Sequence, residues 1–290
     1  MPEKQRRPRS NADNNPVSKK ARQPKAKGDS RYHRILAKIF ADHYRKGDQS
    51  FEFNRTEIES VAQVLDIKLP KNIGDAIYSI RYRAEMPVSI AATAPTGSQW
   101  IIEPAGRGRY RFRLFKGDSR ILPRRDAVTI KIPDATPEII RANGQSDEQA
   151  LLARVRYNRL VDIFLGVTAY SLQNHFRTTV AGMGQVELDE VYLGLNRQGQ
   201  QFVIPVQAKG GTDQLSVVQS SQDIACCREK FPNLTCRPLS AQFLADNVIV
   251  LFELAEDNGI VKVAEERHYK LVPADEISPA DLAKYAARTV

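Results

Sequence analysis

Long apolar runs are missing from this chain of 290 residues: nothing in it approaches the roughly 20 consecutive apolar residues that cross a bilayer, so a membrane protein is not expected. The first residues are charged and lack the apolar stretch that a secretory leader places before its cleavage site, so export is not expected either. Cysteine is scarce. Cys226, Cys227 and Cys236 form neither a disulfide framework nor a zinc knuckle, because no second Cys or His pair stands at ligand spacing. A reducing cytoplasm suits such a chain. No internal repeat is present, which excludes a solenoid.

What is present is enough apolar material, 42% of the residues, for two compact domains, together with an uneven charge of +9. Residues 1–29 hold nine basic against three acidic residues, and residues 30–130 eighteen against eleven. Residues 131–290 reverse the balance with sixteen basic against twenty acidic. A basic first half suits a polyanionic partner, and a mildly acidic second half suits a bound cation. Residues 1–29 are rich in proline, basic and polar residues with almost nothing for a core, and read as a disordered basic tail.

From Ser30, a candidate cap, Tyr32, Ile35, Leu36, Ile39, Phe40 and His43 recur at helical spacing. After FEF at 51–53, Asn54 and Glu57 have capping-box spacing ahead of a helix burying Ile58, Val61, Ala62 and Leu65. A third helix is expected from about Asn72 to Arg83, with Lys71, Arg81 and Arg83 outside. Strands at 98–103 and 109–115 follow, joined by PAGRG. In the second, Tyr110, Phe112 and Leu114 alternate with Arg109, Arg111 and Arg113. Three helices and a basic ribbon make residues 30–116 resemble a winged helix-turn-helix domain. That resemblance implies double-stranded DNA as partner, with the third helix and the arginine row as its contacts.

Residues 117–146 read as a connector with one short strand near 127–132. Residues 147–290 read as a mixed α/β unit: a long helix over 147–166, strands at 186–195 and 202–209, a helix from about Thr212 to Phe231, and strands at 236–244 and 247–256. In the hairpin VELDEVYLGLNRQGQQFVIPVQAKGG, alternation sets Glu187, Asp189 and Val191 on one face and Pro205, Gln207 and Lys209 on the facing one. Pairing of those faces would bring an acid, an amide and an ammonium together. Glu190, on the opposite parity, reads as a surface charge. His175 and His268 read as packing or surface residues, and Gln214, Gln219 and Gln222 as solvent-exposed.

This hairpin resembles the PD-(D/E)XK nuclease superfamily, the restriction-endonuclease-like fold, whose pattern is a helix, an acid-bearing strand, a strand ending in acid-any-lysine, and a helix. GQVELDEVYLG supplies Asp189 and VIPVQAKGG supplies Lys209. Gln207 stands where the family commonly has a carboxylate, as it does in some branches. The resemblance implies a Mg2+ (or Mn2+) ion held by Asp189, Gln207 and the Ala208 carbonyl, with Glu187 or Glu148 adding charge. Lys209 would orient or deprotonate the attacking water, and Gly210 and Gly211 would end the strand and admit a DNA backbone. It implies a restriction-type endonuclease, and a homodimer where both strands are cut. Two alternatives stay open at this stage: a DNA-binding protein whose nuclease-like domain is inactive, and a winged-helix regulator with a ligand-binding α/β domain.

Overall fold

The computed structural model describes residues 31–69, 73–143, 148–210, 213–244, 247–257 and 259–287. The basic tail, the Ser30 cap, Lys71, the start of the third helix at Asn72, and Gly211 lie outside them.

The first unit opens with helix α1 (Arg31–His43), whose Ile35, Leu36, Ile39 and Phe40 are buried at the spacing read from the sequence. FEF, to which periodicity assigned no element, forms strand β1 (Ser50–Asn54). Helix α2 (Arg55–Val64) begins with the expected cap, the Asn54 amide donating to Glu57 Oε1 at 2.7 Å. Helices α3 (Asp75–Tyr82) and α4 (Val88–Ala91) precede strands β2 (Ser98–Pro104) and β3 (Arg109–Lys116). The three strands form an antiparallel sheet in the order β1-β3-β2, with Phe51 opposite Phe112 and Phe53 opposite Tyr110. That aromatic ladder is why FEF pairs: its rings close over Phe40, Trp100 and Phe112 in one apolar cluster.

The rest of the chain is a mixed α/β unit. Its elements are β4 (Arg120–Ile121), β5 (Thr129–Pro133), α5 (Glu138–Asn143), α6 (Glu148–Tyr157), α7 (Leu160–Leu165), β6 (Thr168–Val180), β7 (Gly184–Leu195), β8 (Gln201–Lys209) and β9 (Leu215–Ser216). They continue with α8 (Val217–Lys230), β10 (Thr235–Cys236), β11 (Leu239–Phe243), β12 (Val248–Asp257), β13 (Ile260–Val272) and α9 (Pro279–Ala286). The large sheet runs β5-β13-β12-β11-β8-β7-β6, with β10 also paired to β8. β8 pairs antiparallel with β7 and parallel with β11, and α8 is the crossover between them. Helices α6 and α7 bury Leu151, Leu152, Val155 and Leu160 against Ile204, Val206 and Ala208 on one face. On the other, Cys226 and Cys227 of α8 pack on Val191 and Val203.

Four readings change. The long helix over 147–166 is broken: Arg159 adopts φ +51°, and the Asn158 amide donates to Arg154 O at 2.9 Å and to Thr136 Oγ1 at 2.8 Å, so the helix closes there and restarts as α7. Long strands β6 and β13 lie where none was expected. β6 is an edge strand with mostly exposed side chains, so it lacks the apolar alternation that marks a strand in sequence. β13 is similarly charged. Residues 117–146 hold the expected short strand as β5, paired with β13, but add β4, paired with β9, and the short helix α5.

The two units share a core. Ile101 and Phe115 of the first sheet bury with Leu215, Val217 and Val218 of the second unit. The Arg120 guanidinium donates to the carbonyls of Ile80 (2.8 Å), Ala84 (3.0 Å) and Arg81 at the end of α3. Those carbonyls belong to the last turn of α3 and the residues just after it, so one side chain caps the helix end and ties it to β4. Among the described residues no helix is long and apolar enough to cross a membrane.

Candidate functional site

Asp189 and Gln207 meet because β7 and β8 pair with Val191 opposite Pro205 and Glu190 opposite Val206, which carries the register on to them. Asp189 Oδ2 accepts from the Gln207 side-chain amide and from the Ala208 backbone N–H at 2.9 Å. Gln207 and Lys209 are 2% and 3% exposed, so both polar groups sit at the wall of a core. Lys209 Nζ donates to Glu148 Oε1, at the start of α6, at 3.2 Å. Four of the residues singled out in the sequence are therefore neighbours, with Ala208 between them.

The electrostatics follow from that burial. Burial pushes the Asp189 carboxyl above its ordinary value, against the Lys209 charge and the Ala208 N–H. For Lys209, burial would lower the ammonium, but the charges of Asp189 and Glu148 outweigh it and hold it above the usual lysine value. Gln207 Oε1 is buried with no hydrogen-bond partner among the described residues, an acceptor waiting for a donor or a cation.

Glu187 lines the cleft into which Asp189, Lys209 and Glu148 open, but it is engaged elsewhere, with Arg177 Nε at 3.0 Å and His175 Nδ1 at 3.1 Å. Burial would raise its carboxyl, yet those two partners hold it below the ordinary value. His175 sits at φ +48°, uncommon for any residue but glycine, so the cleft edge is a strained bend in β6. It is exposed, as the sequence reading allows, and it also lines the cleft.

Glu190 is no surface charge. It is fully buried, taking hydrogen bonds from Arg156 Nε at 2.8 Å and Ser171 Oγ at 2.6 Å, because α6 covers that face of β7 and brings its own cation. His268 is 5% exposed and bonded to Glu266 at 2.6 Å. Gln214, Gln219 and Gln222 are half-buried, and the last two line the cleft.

One residue escaped the sequence reading. Asp223 of α8 is 4% exposed, and burial, then the charge of Asp189, drives its carboxyl well above the ordinary value. Its Oδ1 has no partner among the described residues. The signal was there in part: Asp223 stands three and four residues before Cys226 and Cys227, on the helix face that meets the sheet.

The residues expected from the sequence to contact DNA are largely paired within the protein. Arg111 Nη2 meets Glu52 at 2.7 Å and Arg113 Nε meets Glu103 at 3.0 Å, while Arg109 lies 3.5 Å from Glu52. Three positive charges therefore face two negative ones from the flanking strands. Arg111 and Arg113 also line a cavity of about 350 Å3 against α8. Arg83 bonds Asp213 at 2.8 Å, and Arg81 donates to Ile102 O at 2.8 Å with its guanidinium 5.9 Å from the Tyr110 ring.

Asp189, Glu148 and Lys209 open into a cleft of about 710 Å3 between the two units. Among the described residues no group of three or more His, Cys, Asp or Glu stands ready for a metal ion. The donors at hand are oxygens: the Asp189 carboxylate, the partnerless Gln207 Oε1 and, beyond Lys209, Glu148. One carboxylate and one amide oxygen, with a second carboxylate tied to Lys209, make a sparse oxygen set that fits a hard divalent cation held with modest affinity. Cys226, Cys227 and Cys236 are all free thiols. Compared with known proteins, the chain matches no family model, no curated protein and no solved structure.

Proposed function

We propose that this chain is a metal-dependent DNA endonuclease, a variant of the PD-(D/E)XK type, with a winged-helix-like N-terminal unit that contacts DNA. The observation that carries the reading is the convergence of Asp189, Lys209 and Glu148 on one cleft, with Gln207 bonded to Asp189 behind them and its buried amide oxygen left unpartnered among the described residues. In this reading Asp189 and Gln207 hold Mg2+ or Mn2+, and the bound ion supplies neutralisation of charge developing on a phosphoryl oxygen. Lys209 keeps its proton, orients the attacking water and offsets the same charge. Glu148 fixes the lysine in place. The helix triplet and hairpin of the first unit support DNA contact, with Arg55, Arg107 and Arg109 facing the cleft.

The absence of a three-ligand cluster among the described residues favours a second reading, a DNA-binding protein without catalysis. Incubating supercoiled plasmid and a panel of oligonucleotides with the protein and Mg2+ or Mn2+ separates the two. The nuclease reading expects metal-dependent cleavage that Lys209→Ala lowers by at least about 100-fold, the scale of one lost transition-state contact. No cleavage on any substrate, or cleavage undiminished in Lys209→Ala, refutes it.

A further inference from the structure

The candidate site lies beneath a bridge. The turn between β2 and β3 reaches across to the turn between β6 and β7, so closely that a Cβ on Gly184 would meet Gly106 C at 3.4 Å and Arg107 N at 3.6 Å. Gly184 has φ +87°, so the contact is built on a residue that only glycine fills without strain. The bridge does not lift freely. Ile101 and Phe115 are buried against Val217 and Val218, Arg83 holds Asp213, and Arg120 holds the end of α3. Separating the units would expose that apolar core to water.

Under this bridge the cleft measures about 710 Å3, within the range of roughly 300–1,000 Å3 that encloses a ligand of small-molecule size. Lys209 is 3% exposed at its floor, so a phosphodiester must come down to it. Gly106 and Arg107, packed against Gly184, close the cleft from above, so a duplex, which is bulkier than a single strand and stiff, cannot pass beneath them without parting the two units. A single strand is not. The opposite wall carries groups of the kind that grip one: Arg55, Arg107 and Arg109 for phosphates, and beside them the rings of Tyr78 and Tyr110, each with one face toward an arginine, Arg83 at 5.0 Å and Arg81 at 5.9 Å.

We infer that the cleft admits an unpaired DNA strand, a flap, overhang or melted segment, and excludes intact duplex from the Asp189–Lys209 site. This rests on the nuclease reading for the chemistry, but the fit of strand to cleft is independent of it. The test uses the full chain with Mg2+ on three DNAs: an unpaired oligonucleotide, a duplex bearing an unpaired 3′ arm, and a relaxed, covalently closed duplex circle. Cleavage of the first two, with the circle at least about 100-fold slower, is expected. A circle cut as fast as the unpaired strand overturns the inference and leaves the nuclease reading standing.

If nothing is cut, the nuclease reading falls and binding decides the strand preference. Fluorescence anisotropy should show the unpaired strand binding at least about tenfold tighter than blunt duplex of equal length. Arg55→Ala/Arg107→Ala should weaken it by at least about fivefold, the scale of one lost base or phosphate contact. Equal affinity for both DNAs, or a double variant that binds the unpaired strand like wild type, overturns the inference.

Discussion

Asp189→Asn separates a functional carboxylate from a structural one. Both hydrogen bonds that Asp189 receives, from the Gln207 amide and from Ala208 N at 2.9 Å, end on the same oxygen, Oδ2. An asparagine oxygen in that position keeps both, so the substitution removes charge without removing the network. Burial holds the Asp189 pKa above its ordinary value. A folded-state pKa above the unfolded one means that stability is lost as pH rises through it, so the ionised carboxylate works against folding at neutral pH. Relieving such a group at a site kept for function stabilises by about 0.5–2 kcal/mol. For a gain near 1 kcal/mol, Tm rises by about 2–4 °C. Activity moves the other way. Losing about 4 kcal/mol of metal-borne transition-state stabilisation, at about 1.36 kcal/mol per tenfold, lowers the rate by about 1,000-fold. Differential scanning calorimetry at several pH values, beside metal-dependent cleavage, reads both quantities on one preparation. A Tm advantage should open as pH rises through the ordinary carboxylate range and level off once the raised pKa is passed. A variant that melts several degrees lower, or one that cleaves like wild type, refutes the reasoning.

Gln207→Glu places a second carboxylate beside Asp189 and removes the amide N–H that now bonds it, so the metal-free protein should lose about 1–3 kcal/mol. Adding Mg2+ should restore more Tm in this variant than in wild type; a metal-independent Tm would count against a cation at this position. Asp223→Asn should stabilise the fold, with the gain widening as pH rises above about 4, because the wild-type carboxyl, raised by burial, loses stability over that range. Urea unfolding at two pH values checks the sign. Arg120→Ala should cost about 2–3 kcal/mol by stripping the α3 end of its charged donor. The chain's one tryptophan, Trp100, buried in the first unit, provides the fluorescence signal.

Local pattern was enough for what depends on neighbours along the chain. Asn54 and Glu57 are three residues apart, and the cap they form needs no other part of the molecule. Alternation in RYRFRLF set Phe112 inward and the arginines on the other face because a strand turns its side chains over every second residue. The same rule, applied to the two strands of one hairpin, brought Asp189 and Gln207 together, since a short turn leaves few registers. What packs against a face is another matter. Glu190 is buried because α6, more than thirty residues earlier, covers it and supplies Arg156. The arginine row is answered by Glu52 and Glu103 from strands on either side. Asp223 nears Asp189 only through the crossover that returns β11 to β8, and the bridge of Gly106 over Gly184 joins turns 78 residues apart in number. These depend on contacts whose free energy comes from burying surfaces distant in sequence, and no periodicity along the chain carries that information.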